Sequence, residues 1–60
     1  MSKVKELRLK RKLSQAELAE MANVSQGLIS SIECGRVASL RTLKKIAAIL
    51  NVKASTLINE

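Results

Sequence analysis

Among the side chains of this 60-residue chain that could do chemistry, cations form the largest group, followed by hydroxyls and amides. Eleven lysines and arginines stand against five glutamates, and the formal net charge is +6 at pH 7. The cations are densest at the start of the chain, where one acid, Glu6, lies among Lys3, Lys5, Arg8, Lys10, Arg11 and Lys12. A small, strongly basic domain most often binds a polyanion.

The residue types that are missing exclude several other kinds of chemistry. Without histidine and with one cysteine, Cys34, the chain lacks the three or four ligands of a zinc site and any Ser-His or Cys-His catalytic pair. It has no aromatic residue on which a base or a ring cofactor could stack. We therefore expect no enzymatic activity, no cofactor and no small-molecule ligand, and we interpret Cys34 as a half-exposed structural thiol rather than a redox sensor.

The sequence also disfavours a membrane location. No apolar run approaches the roughly 18 residues of a membrane span, and no apolar stretch follows the basic N-terminus as in a secretory signal. The basic first segment alone could suggest a membrane-surface helix, but aromatic anchors are absent. A single cysteine cannot form an internal disulfide, which fits a reducing compartment. The prediction is a cytoplasmic protein without a membrane partner.

Apolar periodicity and capping residues predict five short helices and no strand. The expected spans are about 2–11, 15–22, 26–34, 40–50 and 54–58. Ser2 is a candidate N-cap, and Ser14 with Glu17 has the spacing of a capping box. Asn23 and Gly35 are suited to the left-handed conformation that ends a helix. The fourth helix has the clearest inward stripe, formed by Leu40, Leu43, Ile46, Ala47 and Leu50. We predict an all-α, five-helix bundle with an aliphatic core, as one domain over residues 1–60.

The segment from Ser14 to Gly35 is the most informative part of the chain. Two short predicted helices are joined here by the tight turn Asn23-Val24-Ser25, in which Val24 is expected to plug the core. A small residue, Ala19, sits where the two helices must approach closely. This is the arrangement of a helix-turn-helix, although other helical bundles also contain short turns.

Four stretches carry a resemblance to a known family: 13–19 (LSQAELA), 24–25 (VS), 29–35 (ISSIECG) and 40–47 (LRTLKKIA). Over residues 4–58 the chain resembles the Cro/C1-type (Xre family) helix-turn-helix domain of the phage-repressor class. The resemblance implies a lambda-repressor-like fold that binds double-stranded DNA in a sequence-specific manner as a dimeric transcription regulator. Helix 26–34 would enter the major groove of a partly symmetric operator. The alternative is an antitoxin-like protein-interaction module with secondary DNA binding.

The chain departs from the family pattern at four places. Lys12 and Asn23 stand where glycine is usual, and Ala38 stands where proline is common. The loop between the third and fourth helices is about one residue short. None of these changes falls on the surface that the resemblance assigns to base reading.

The resemblance assigns base contacts to Gln26, Gly27 and Ser31, with Ser30 as a further candidate. The Gln26 amide can donate and accept at once, which matches the N6/N7 edge of adenine. Gly27 would let the helix approach the duplex, and its alternative is an ordinary helix residue. The implied phosphate contacts are Gln15, Ser25, Arg8, Arg11, Arg36 and Arg41.

Two structural roles are also implied. Gln15 would brace Gln26 besides contacting phosphate, and Arg8 would form an interhelical salt bridge with Glu33. The expected dimer interface consists of Val52, Leu57 and Ile58, some of which would close the core in a monomer.

Overall fold

The computed structural model describes residues 2–58, which form five α-helices and no strand. These are α1 (Lys3–Lys10), α2 (Gln15–Ala22), α3 (Gln26–Glu33), α4 (Leu40–Leu50) and α5 (Ala54–Ile58). The predicted all-α fold is confirmed, and the only differences in bounds are one residue at each end of α1 and one at the end of α3. The longest helix, α4, has 11 residues, and no helix within 2–58 is long and apolar enough to cross a membrane.

Serine N-caps define where the first four helices begin. In each case the serine hydroxyl accepts a hydrogen bond from the backbone N–H three residues later, at 3.0–3.3 Å: Ser2, Ser14, Ser25 and Ser39. At α2 the cap is reciprocal, because the Ser14 N–H also donates to Glu17 Oε1 at 2.8 Å. Helices of eight residues are unstable alone, so these caps and the packing of the helices together hold the ends in place.

Left-handed residues end the same four helices. Lys12, Asn23 and Asn51 have φ values of 57°, 56° and 59°, and Gly35 has a φ of 110°. After Asn23 the chain folds back at once, since the Val24 N–H donates to the Ala19 carbonyl at 2.9 Å, a pattern typical of Schellman caps. The left-handed backbone at Lys12 and Asn23 explains why glycine would also suit these two positions.

The core is built from aliphatic side chains of all five helices. It consists of Val4, Leu18, Ala19, Ala22, Ile29, Ile32, Ile46, Ala47, Leu50 and Leu57. Ala19 is 3% exposed, in agreement with its expected place between closely packed helices. Val24 packs against this core from the turn, as predicted. The sequence placed Leu40 on the inward side of α4, and this prediction was wrong. Leu40 is the first residue of the helix, lies outside the core and is 51% exposed.

Candidate nucleic-acid interface

The helix α3 has one buried side and one side open to solvent. Ile29 and Ile32 are buried in the core, with Leu28 at the edge of the buried side, as expected. At 3.6 residues per turn, Gly27 and Ser31 fall on the opposite side of the helix. This outward side carries only short side chains. The backbone of α3 is therefore sterically accessible to another molecule.

The N-terminal end of α3 is unobstructed. Ser25, Gln26 and Gly27 are exposed, whereas Ser30 and Ser31 further along are half-buried. A Cβ added at Gly27 would meet only the Ser25 hydroxyl, at 4.0 Å, and the Gly27 backbone is helical. The packing of the domain therefore does not require glycine at this position.

A buried ion pair fixes the position of α3 relative to α1. Arg8 Nε lies 2.7 Å from Glu33 Oε2, and Arg8 Nη2 lies 3.2 Å from Glu33 Oε1. The third guanidinium nitrogen, Nη1, donates to the Leu13 carbonyl at 2.7 Å. The two charged side chains are only 9% and 4% exposed. A two-point contact between arginine and carboxylate restricts orientation more strongly than a single hydrogen bond does.

The same carboxylate also holds α2. Gln15 Nε2 donates to Glu33 Oε1 at 3.0 Å, so Glu33 accepts hydrogen bonds from two other helices. The brace expected between Gln15 and Gln26 does not occur among the hydrogen bonds of residues 2–58, because the Gln15 amide points to Glu33 instead. One amide hydrogen and the backbone N–H of Gln15 remain outside this contact.

The burial of Arg8 corrects its expected phosphate contact. The whole residue is 7% exposed, and all three guanidinium nitrogens already donate to Glu33 or Leu13. With the side chain only 9% exposed, this group offers little surface to a phosphate while the pair is closed. We therefore assign Arg8 to the salt bridge alone.

The other arginines expected at phosphate are accessible. Arg11, Arg36 and Arg41 are exposed, and none of them forms an ion pair within residues 2–58. Arg36 follows the C-cap of α3, and its backbone N–H donates to the Ser31 carbonyl at 2.9 Å. Arg41 lies in the first turn of α4. Arg36 and Arg41 therefore come after α3 in the chain, and Arg11 comes directly after α1.

The hydrogen bonds at Glu33 set its protonation. Burial by itself raises the pKa of the Glu33 carboxyl, but donation from Arg8 and Gln15 and the positive charges of Arg8 and Lys5 outweigh it. The result is a pKa below the usual 4.5. The pKa of exposed Glu17 is also lowered, mainly by the hydrogen bonds of its capping box with Ser14. Both carboxylates are thus stabilised in their charged form.

Acid is expected to destabilise this domain through Glu33. Its pKa in the folded chain is below the unfolded value of 4.5, so its contribution is present above that pH and is lost as the pH falls through the folded pKa. The measurement is the urea-unfolding free energy from neutral pH down to about pH 3. The double variant Arg8→Met with Glu33→Leu, which removes both charges of the pair, should flatten the acid side of the curve. Equal slopes in the wild type and this double variant would contradict the assignment.

The structure also shows how far four further residues are buried: Val52, Leu57, Ile58 and Cys34. Leu57 is 3% exposed and closes the core, the other role that the sequence left open for it. Val52 is half-buried against the core, so of the expected dimer residues only Ile58, at 52%, is exposed. Cys34 is exposed rather than half-exposed. Residues 2–58 contain no cluster of three or more side chains that could hold a metal ion.

The two helices α2 and α3, their tight turn and the outward N-terminal end of α3 define a helix-turn-helix domain. The helix-turn-helix family model matches residues 4–57, so the chain belongs to this family, as its sequence motifs predicted.

Two curated relatives share this domain. The chain is 39% identical over 59 residues to the immunity repressor protein of Bacillus phage phi105, covering 97% of this chain and 41% of the relative. It is 38% identical over 60 residues to the HTH-type transcriptional regulator SinR of Bacillus licheniformis, covering 97% of this chain and 54% of the relative. The chain thus spans about half the length of these relatives. Both are regulators rather than enzymes.

A solved structure shows the same fold. The structure of SinR, the master regulator for biofilm formation, in complex with DNA superposes with a TM-score of 0.86 at 37% identity. The match covers 92% of this chain and 90% of that chain. The likeness therefore extends over nearly the full length of the two compared chains.

Proposed function

We propose that this domain binds double-stranded DNA in a sequence-specific manner as the DNA-reading part of a transcription regulator in the cytoplasm. The observation that carries the proposal is the outward side of α3, with exposed Gln26 and Gly27 at its leading end and only short side chains beyond them. The major groove is about 12 Å wide and admits one helix. A helix with so little side-chain bulk can place its leading residues against base edges.

The base contacts that we propose are Gln26 and Gly27, with Ser31 and Ser30 further along α3. The proposed phosphate contacts are Gln15, Ser25, Arg11, Arg36 and Arg41. The net charge of +6 supports the backbone contacts, because cations that neutralise phosphates release counterions and so favour binding. The solved DNA complex of SinR, at 37% identity, supports the same mode of binding.

Selection of bound duplexes from a random pool tests the proposal directly. A sequence-specific domain should enrich one preferred half-site, which the proposed reading helix contacts through the major groove. We also propose that the regulator acts as a homodimer, so the enriched duplexes should contain two half-sites in partly symmetric arrangement. A pool without any preferred sequence would contradict the proposal, whereas a single half-site would contradict only the dimer.

Gly27→Ala separates the needs of the fold from those of DNA binding. Alanine should raise the free energy of unfolding by up to about 1 kcal/mol, because glycine is a poor helix former and the added Cβ meets no close neighbour. The same methyl group would stand between α3 and the duplex, so affinity for the selected site should fall. Urea unfolding and a DNA titration of the same variant measure both effects. A stabilised variant with undiminished affinity would show that Gly27 is an ordinary helix residue.

Arg36→Ala is expected to weaken binding without changing sequence preference. Arg36 lies beyond the outward side of α3 and is proposed to contact the phosphate backbone, which carries no base information. Affinity for all duplexes should fall about equally, and the slope of log K against log salt should flatten by about one unit. The exposed Lys53, just before α5, offers a matched control as Lys53→Ala. A change in the preferred bases would place Arg36 in the groove instead.

A further inference from the structure

The turn between α1 and α2 holds a lysine in an unusual backbone conformation. Lys12 has a φ of 57°, in the left-handed region that residues other than glycine, asparagine and aspartate rarely adopt. Asn23 and Asn51 share this conformation, but a short polar side chain tolerates it. Among residues 2–58, Lys12 is therefore the one left-handed residue whose side chain does not suit its backbone.

Hydrogen bonds on both sides of Lys12 hold this conformation. The Lys12 N–H donates to the Leu9 carbonyl at 3.0 Å, and the Leu13 N–H donates to the Arg8 carbonyl at 3.1 Å. The Leu13 carbonyl accepts a hydrogen bond from Arg8 Nη1 at 2.7 Å, and Arg8 is also bound to Glu33 at the end of α3. The turn that carries Lys12 is thus fixed relative to the proposed reading helix.

Glycine at position 12 would form the same turn without strain. The left-handed conformation brings the Cβ of an L-residue too close to the following carbonyl oxygen, and glycine has no Cβ. The Lys12 side chain is exposed and forms no hydrogen bond or ion pair in the described part of the chain. Strain that no contact within the fold offsets points to a function of the side chain outside the fold.

The charges around Lys12 indicate what that function is. Lys10, Arg11 and Lys12 are three consecutive exposed cations directly before α2. None of them forms an ion pair with another side chain of residues 2–58. Neighbouring like charges repel each other in the free protein, and an anion bound among them relieves this repulsion.

The start of α2 indicates that this anion is a DNA phosphate. Lys12 lies three residues before Gln15, the first residue of α2 and a proposed phosphate contact. The free N–H groups and the positive dipole end of a helix N-terminus also favour an anion. Glu17 places a negative charge in the same first turn, and this charge repels phosphate. A cation at position 12 offsets that repulsion.

We propose that Lys12 contacts a phosphate of the DNA backbone beside Gln15, and that its charge strengthens DNA binding while its left-handed backbone weakens the fold. This inference rests on the proposed DNA-binding function. It adds Lys12 to the proposed phosphate contacts. The hydrogen bonds through Leu13 and Arg8 hold the new contact in place before DNA arrives.

Lys12→Gly should move stability and DNA affinity in opposite directions. The urea midpoint should rise by about 0.5 M, because glycine removes the strain of the left-handed backbone. Affinity for the selected duplex should fall about five- to tenfold at about 0.1 M salt, and the slope of log K against log salt should flatten by about one unit. Sequence preference should not change, since a phosphate contact carries no base information.

Three further variants separate the charge of Lys12 from the shape of its turn. Lys12→Arg keeps the charge and should keep the wild-type salt slope. Lys12→Asn is neutral but tolerates the left-handed backbone, and it should lose the slope as Lys12→Gly does. Asn51→Gly is the matched control, because Asn51 is an exposed left-handed residue in the turn between α4 and α5. It should change neither the affinity nor the slope.

Three results would overturn the inference: wild-type affinity and salt slope in Lys12→Gly, a lower urea midpoint in Lys12→Gly, or a flattened slope in Lys12→Arg. In each case, wild-type protein that still prefers the selected duplex would leave the proposed function standing. Wild-type protein that binds all duplexes equally would contradict the proposed function instead. The two failures are therefore distinguishable.

Discussion

Replacing Glu33 with alanine is expected to destabilise the domain by about 3–5 kcal/mol, because the Arg8 guanidinium then lies buried without a counter-charge. Arg8 is 7% exposed and both of its contacts with Glu33 would be lost. A domain of this size has a total stability of only several kcal/mol. Much of the Glu33→Ala protein should therefore be unfolded at 25 °C.

Urea unfolding followed by far-ultraviolet circular dichroism measures this effect. Glu20→Ala removes an exposed carboxylate from α2 and should change stability by less than about 0.5 kcal/mol. The double variant Arg8→Met with Glu33→Leu removes both charges and should recover much of the loss, since apolar replacements of buried ion pairs are often neutral or stabilising. If Glu33→Ala and Glu20→Ala unfold at the same urea concentration, the pair does not hold the helices together.

The Glu33 result also bears on DNA binding. Glu33 is the acceptor that α1 and α2 share, through Arg8 and Gln15 respectively. Without this acceptor, α3 would lose the contacts that fix its orientation relative to α1 and α2. The Gln15 amide would also lose its hydrogen-bond partner. Affinity for DNA should consequently fall in any Glu33 variant that still folds.

Gln26→Ala is expected to cost about 1–3 kcal/mol of affinity for the preferred site and to relax preference at one base pair per half-site. Gln26 is exposed at the first position of α3, and its amide can pair with both polar atoms on the groove edge of adenine. Alanine removes both hydrogen bonds and leaves the helix backbone intact. Repeating the duplex selection and titrating the best site with both proteins measures the two effects.

Stability provides the control for Gln26. Its side chain makes no hydrogen bond within the described residues 2–58, so Gln26→Ala should unfold at the same urea concentration as the wild type. Equal weakening on every duplex, with base preference preserved, would show that Gln26 contacts the DNA backbone rather than a base.

Local sequence accounts for most of the fold. Each serine cap bonds to a backbone N–H three residues later, and each left-handed residue closes a turn within six residues. Such contacts depend on contiguous residues, which explains why the helix bounds were predicted to within one residue. The outward side of α3 followed from the same reasoning, because Ile29 and Ile32 determine which side of that helix is buried.

The partners of Gln15 and the burial of Arg8 required the tertiary structure. Both depend on Glu33, which lies 25 residues from Arg8 and 18 from Gln15, and they meet only because three helices pack around one carboxylate. Sequence alone assigned Arg8 first to the salt bridge with Glu33 and second to a phosphate contact. Packing favours the salt bridge, since all three guanidinium nitrogens donate within the domain and the side chain is only 9% exposed.

From the amino-acid sequence we could predict five helices, four of them with serine caps, an aliphatic core and a helix-turn-helix whose second helix begins at Gln26. Which apolar residues of the last helix are buried in the core and which lie on the surface depends on the packing of the five helices. A period of 3.6 residues identifies the apolar side of a helix, but Leu57 and Ile58 are neighbours on a helix of five residues. Their different burial, 3% against 52%, arises from how α5 packs on the rest of the domain.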